Sequence, residues 1–203
     1  MNKGADSAED LVDRIKRKAP EYLDLLTADT DADFEAAFDT ILGKAIASLE
    51  EDKKNFSKLG EDALSGVLAK ALSIPGLTVT RETHSNGHVD LTIEADHCVP
   101  ARKKLGEAKI WNGPKYHVKG LRKLLGRYTT GREGRGILIV YVRKRNIAGL
   151  FKKLRNKMDS DFPMKQKGKT LEHTMKWSFL STHAHDCGEV LQVGHIGCNL
   201  FIG

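Results

Sequence analysis

Apolar positions recur along this chain with two different periods. Phe34, Ala37, Phe38, Ile41, Leu42, Ala45, Ile46 and Leu49 follow one another at spacings of three and four, which predicts a helix over residues 31–54 with one buried stripe. Residues 7–26 also read as helical, with Pro20 separating two short helices or sitting in the first turn of the second. A third stripe, Leu64, Leu68 and Leu72, runs from Ser57, a reasonable N-cap, to the breaker Ile74-Pro75-Gly76. Short strand-like runs follow at residues 77–82, 88–93 and 105–111, the second preceded by the turn Ser85-Asn86-Gly87. After the turn Asn112-Gly113-Pro114, residues 116–128 read as a helix with Val118, Leu121, Leu124 and Leu125 inward. Residues 137–142 are continuously apolar, as in a strand buried on both faces, and 146–158 predict a helix with Lys and Arg outward. Residues 188–202 are expected to add two strands.

Three charged residues interrupt the strand runs. On a strand, Glu107 and Lys109 share one face while Gly106, Ala108 and Ile110 take the other, and Val89, Leu91 and Ile93 face away from Asp90. A lone Asp or a Glu-x-Lys pair on a half-exposed strand is ordinarily a solvated face. Here both lie on neighbouring strands joined by a loop of about ten residues, a hairpin that brings two carboxylates and an ammonium together. Glu61 precedes Leu64 by three residues and Leu68 by seven, so it falls on the apolar stripe of its helix. A carboxylate there is costly unless a cation or a nearby Lys partners it. Asp62 lies off that stripe and suits the helix dipole.

Asp90, sixteen intervening residues, then Glu107-x-Lys109, with a helix before the hairpin and a helix and strand after it, resembles the signature of the PD-(D/E)XK nucleases, the restriction-endonuclease-like superfamily. The resemblance covers residues 57–158. It implies an α/β (α+β) fold: a mixed central sheet flanked by helices in a nuclease-like domain over 57–203, with residues 1–56 as an acidic, helical N-terminal extension. It implies Asp90, Glu107 and Lys109 as catalytic residues and Mg²⁺ or Mn²⁺ as cofactor. The ion would be held by Asp90, Glu107 and the backbone carbonyl of Ala108, with Glu61 acting directly or through water, and hard oxygen ligands suit such ions. Lys109 would orient the attacking water or stabilise developing negative charge. Val89 stands where the family name places a Pro that makes no catalytic contact.

Charge sharpens the expectation of a nucleic-acid substrate. The net +6 is unevenly spread: residues 1–62 carry 9 Lys/Arg against 16 Asp/Glu, whereas residues 100–176 carry 22 against 5. A basic field around a phosphodiesterase-type site raises affinity for a polyanion and steers it in. Lys115, Lys119, Arg122, Lys123 and Arg127 are the candidate nucleic-acid contacts. The segment 131–136, GREGRG, precedes a strand rather than a helix, so it reads as a basic turn whose arginines touch the backbone of the substrate. His183, His185, Cys187, His195 and Cys198 crowd the C-terminal part without a zinc-type spacing, and alternation along a strand-turn-strand explains them. Three scattered cysteines, no apolar run near ~20 residues and no signal-like start point to a cytoplasmic protein without a membrane segment. The expected activity is a metal-dependent endonuclease, first of all on DNA, in restriction or anti-phage defence. The alternatives are a catalytically weak nucleic-acid-binding or assembly subunit that docks a protein partner through its acidic helices, and a nuclease for RNA or branched DNA. Cutting both strands would favour a homodimer.

Overall fold

The computed structural model describes residues 7–81, 83, 84 and 88–203, so Glu82 and the turn Ser85-Asn86-Gly87 lie outside the described residues. Its element order begins with helices α1 (Ala8–Lys18), α2 (Pro20–Leu26), α3 (Asp31–Glu51), α4 (Lys53–Phe56) and α5 (Glu61–Leu72). Pro20 occupies the first turn of α2, where its missing N–H costs nothing. The Thr30 hydroxyl caps α3 by accepting the Asp33 N–H at 3.2 Å. The expected cap at Ser57 fails. Ser57 closes the short α4 instead, and α5 starts at Glu61 behind Gly60, whose extended backbone turns the chain into the helix.

Strands β1 (Thr78–Thr80), β2 (Thr83–His84), β3 (His88–Val89), β4 (Leu91–Ala95) and β5 (Arg102–Ile110) come next. Then follow α6 (Pro114–Lys123), β6 (Gly136–Val142), α7 (Ile147–Asp161), β7 (Leu171–Glu172), β8 (Ser178–Ala184) and β9 (Val190–Asn199). A seven-stranded mixed sheet runs β1-β4-β5-β6-β9-β8-β7, in which only β5-β6 and β6-β9 are parallel. The chain is thus of the mixed α/β (α+β) class. The C-terminal region pairs differently from expectation: residues 190–199 form one long strand whose hairpin partner is β8, upstream in the sequence.

Helices cover both faces of the sheet. On one face α3 and α5 bury Phe38, Leu42, Leu64 and Leu68 against Leu91, Ile93, Ala108, Ile139 and Ile196. On the other, α6 and α7 bury Leu121, Phe151 and Leu154 against Leu105, Leu138, Val140, Phe179 and Val193. Helix α3 therefore shares a core with the sheet, and its eight buried residues are the stripe read from the sequence. The expectation that Val89 shares a face with Leu91 and Ile93 does not hold. The chain bends at Asp90, so the strict alternation of one strand is broken, and Val89 joins the core under α6. Similarly, the expected helix over 116–128 is α6 followed by a π-helical turn, Leu124–Tyr128. Among the described residues no helix is long and apolar enough to cross a membrane.

A buried ion network ties α3 to β5. Lys104, 1% exposed, meets Glu35 and lies 5.0 Å over the Phe38 ring, and Arg135 meets both Glu35 and Asp39. Arg135 is consequently committed to the interior, contrary to the expectation that the arginines of the 131–136 turn face a substrate. The cause is the acidic face of α3, which offers Arg135 two carboxylates where the turn packs down. Several acids of the N-terminal helices are neutralised within the chain in this way, including Asp31 by Arg102 and Glu21 by Lys44.

Candidate active site

Strand β4 pairs with β5 only from Ala95–Arg102 up to Leu91–Gly106. Where β4 ends, at the bend of Asp90, the remaining edge of β5 loses its neighbour. In a ladder of this kind alternate residues point their N–H and C=O groups to the same side, so Ala108 and Ile110 are left facing the gap. Two carboxylates fill it. Asp90 Oδ2 accepts the Ala108 N–H at 2.8 Å, and Glu61 Oε2, at the first residue of α5, accepts the Ile110 N–H at 2.9 Å. The carbonyl oxygen of Ala108 faces the same gap and is met by Lys109 Nζ at 2.8 Å.

Lys109 Nζ stands at the centre of this group. It is 2.7 Å from Glu61 Oε1, 2.9 Å from Glu107 Oε1 and 3.6 Å from Asp90 Oδ2. A second ammonium, Lys123 of α6, lies 3.3 Å from Glu107 Oε1. Three carboxylates thus meet two ammoniums. Glu107 has no exposed surface, and neither of its oxygens has a well-directed hydrogen bond within the protein. Burial raises its pKa, the Lys109 ammonium pulls the other way, and Asp90 adds to the rise. Burial also works against the charge on Lys109, but Glu61 and Glu107 outweigh it and hold its pKa above the ordinary range. Tyr128, brought in by the π-helical turn, is pushed up to about 12, first by burial and then by the fields of Glu107 and Asp90.

The five positions singled out in the sequence, Glu61, Asp90, Glu107, Ala108 and Lys109, therefore lie within one small cluster. Among the described residues, no three Asp, Glu, His or Cys side chains form a ready-made metal shell. The Lys109 ammonium stands among the carboxylates instead. The donor set nevertheless suits a hard divalent cation: every donor is oxygen, the carboxylates outnumber the ammoniums, and the Glu107 carboxylate is fully buried, with Oε1 facing Lys109 and Lys123. The chain matches no protein-family model, no curated protein and no solved structure.

Helix α6 closes the site from above. A Cβ added at Gly120 would lie 3.4 Å from Lys109 Cγ, 3.5 Å from Glu107 Cγ and 3.1 Å from Leu138, so glycine permits the helix to come this close. Of the five candidate nucleic-acid contacts, Lys115, Lys119, Arg122 and Arg127 are exposed, whereas Lys123 turns inward to Glu107. The helix phase decides this: Lys115, Lys119 and Arg122 recur at spacings of four and three on the outer face.

A buried polar chain anchors α6 and was not read from the sequence. His117 Nε2 lies 2.7 Å from His195 Nδ1, His195 Nε2 lies 2.6 Å from Ser181 Oγ, and Ser181 Oγ lies 2.7 Å from His183 Nε2. His183 Nδ1 is 3.0 Å from the carbonyl of Met164. A carbonyl only accepts, so His183 Nδ1 donates, and with every ring neutral each proton follows: Ser181 donates to His183, His195 to Ser181, and His117 to His195. Burial holds His117 at about 3 and His195 well below the usual range, in agreement with neutral rings. Of the His and Cys positions that crowd the C-terminal part, only His183 and His195 belong to this chain. His185 and Cys187 pair in the exposed β8-β9 turn, and Cys198 is buried on the opposite face of the sheet. The single sequence hint was the placement of His183 and His195 at inward strand positions, and their partner His117 comes from a helix far away in the chain.

Proposed function

We propose that this chain is a divalent-metal-dependent nuclease of the PD-(D/E)XK type, built on a restriction-endonuclease-like core, that hydrolyses phosphodiester bonds, with DNA as its substrate and restriction or anti-phage defence as its setting. The observation that carries this reading is the convergence of Asp90, Glu107, the Ala108 carbonyl and Glu61 on one point beside Lys109. Asp90, Glu107 and the Ala108 carbonyl would hold Mg²⁺ or Mn²⁺, with Glu61 behind them. The bound ion would lower the pKa of water and offset charge on the scissile phosphate.

The protein's own groups do the rest. With the ion held by Asp90, Glu107 and the Ala108 carbonyl, Lys109 would orient the attacking water and meet the negative charge that builds on the phosphate. Lys123 and Tyr128 border Glu107 and keep its surroundings compact. The exposed Lys115, Lys119, Arg122 and Arg127 offer a basic face for the nucleic-acid backbone. A protein partner or a second copy remains part of the proposal through α1, which carries no buried residue and exposes Leu11 and Val12.

The test is incubation of the purified protein with supercoiled plasmid, linear duplex, single strands and RNA, in Mg²⁺, Mn²⁺ and chelator. Metal-dependent cleavage lost in Glu107→Gln supports the reading. Cleavage in chelator, or none on any substrate with either metal, overturns it.

A further inference from the structure

Trp177 stands at the same height in the sheet as Lys109. Lys109 is level with Val140 and Val140 with Gly197, and Gly197 donates its N–H to the Trp177 carbonyl at 3.0 Å. The two residues are separated by three strand spacings, about 14 Å along the C-terminal edge of β5 and β6. A Cβ on Gly197 would sit 2.7 Å from the Phe151 ring and 2.9 Å from the Trp177 carbonyl, so no other residue lets the Trp177 segment approach so closely.

Trp177 is held in the left-handed region, with φ 52°, which a bulky side chain rarely adopts. Only half-buried, it borders two clefts: one of about 650 Å³ against α7 and one of about 310 Å³ against α3. The larger contains Lys152, Arg155 and Lys176. Within it Glu172 pairs with Arg155, which takes that cation out of play, and Asp159 holds the Thr170 N–H and hydroxyl, while Lys176 also feels Glu50 from the smaller cleft. Between Trp177 and Lys109, directly after β6, Lys144 and Arg145 are exposed. Exposed cations thus lead from the carboxylate site to a strained, accessible aromatic ring.

We propose that this edge is a track for a single nucleic-acid strand, with Trp177 as the platform on which an unpaired base stacks and Lys144, Arg145, Lys152 and Lys176 along its phosphates. Stacking on a tryptophan accepts any base, and cations along the edge follow the backbone, which is the combination that holds single strands without sequence preference. The inference rests on the nuclease reading only for the scissile phosphate. The track itself is independent of cleavage.

The chain has two tryptophans, and Trp111 is buried against Phe151, so Trp111→Phe leaves Trp177 as the sole tryptophan, excited selectively at the red edge beyond tyrosine absorption. In chelator, a 20-nucleotide oligo(dT) should quench that emission, and an abasic oligonucleotide of equal length should not. Equal quenching by both, tighter binding of duplex than of single strand, or no response overturns the track. Lys144, Arg145 and Lys152 are all exposed, and changing the three to Gln together should weaken oligo(dT) binding at least about tenfold. Unchanged affinity also overturns it. Assaying the same samples with Mg²⁺ separates the two ideas. Cleavage without a Trp177 response rejects the track and leaves the nuclease, whereas quenching without cleavage on any metal does the reverse.

Discussion

Strand β5 carries two buried lysines among acidic side chains, and they are built for different ends. Lys104 has one close carboxylate, Glu35, with the faces of Phe34 and Phe38 around it, and Arg135 and Asp39 complete a balanced group of two cations and two carboxylates. Burial dominates there and lowers the Lys104 pKa to about 8. Lys109 faces three carboxylates, and its pKa moves the other way. A balanced network closes on itself and has nothing left to attract, whereas the carboxylate excess at Lys109 leaves an appetite for a further cation. On the proposed reading, imbalance of charge rather than its burial marks the site.

The contrast breaks most sharply if carboxylates are neutralised at each lysine. Glu107→Gln or Asp90→Asn should reduce metal-dependent cleavage to background in a plasmid-nicking assay, with thermal stability in chelator held or raised for Glu107→Gln. The amide of Asn keeps an acceptor for the Ala108 N–H, so Asp90→Asn separates charge from a hydrogen bond that Asp90→Ala would sever at a cost of about 1–3 kcal/mol. A well-folded Asp90→Asn protein that cleaves at the wild-type rate would end the assignment. Lys109→Ala should slow cleavage by about 100-fold, the scale of losing one group that stabilises transition-state charge.

At the other lysine the expected effect changes in kind. Glu35→Gln leaves Lys104 buried without its nearest anion, and urea denaturation should read a loss of about 3 kcal/mol. Added Mg²⁺ should not restore it, and cleavage per folded molecule should not change. A cleavage defect as large as that of Glu107→Gln would mean the two clusters are coupled and the comparison misdrawn.

The histidine chain offers a smaller, pH-dependent test. His117 has a folded pKa of about 3 against an unfolded value near 6.5, so between these values the unfolded state binds the extra proton. Its contribution to stability is therefore whole above pH 6.5 and is lost as pH falls toward 3, at up to about 1.4 kcal/mol per pH unit for each such ring. Between pH 6.5 and 4.5 Asp39 and Glu21, whose pKa values are lowered, do not yet contribute to the slope. Glu50 and Glu107, whose pKa values burial raises, gain stability as pH falls and oppose the rings, so the ring is read from the difference between wild type and variant. His117→Gln should flatten the slope of unfolding free energy across that window. An unchanged slope in His117→Gln would show the ring to be hydrated rather than buried and neutral.

What the sequence disclosed follows from the range of the interactions involved. Helix α3 and strand β6 were legible because their apolar periods are local and long. The cluster of Asp90, Glu107 and Lys109 was legible because a charged residue inside an apolar strand run is costly without a purpose. Boundaries set by backbone turns were not, as at Ser57, or at Asp90, where a bend moves Val89 to the other core. Least legible were partners far apart in sequence: His117 with His195, Arg135 with Asp39, and Lys123 with Glu107. The last of these also changes which cations are free to meet a substrate.

That difference frames the smallest expected effect. Lys115, Lys119 and Arg122 share the exposed face of α6, and Lys123 on the same helix is already spent on Glu107. Each exposed cation that neutralises a phosphate releases a counterion, so converting the three to Gln should reduce the slope of log affinity against log salt by up to about 0.9 apiece on duplex DNA. Lys123→Gln should leave that slope where it is and act on cleavage instead, because it removes a charge beside a buried carboxylate. The measurement is fluorescence anisotropy of a labelled duplex against Asp90→Asn protein across a salt series, which reads binding with cutting disabled. If Lys123→Gln flattens the slope as much as Lys119→Gln does, then Lys123 swings out to the nucleic acid, and its ion pair with Glu107 belongs only to the free protein.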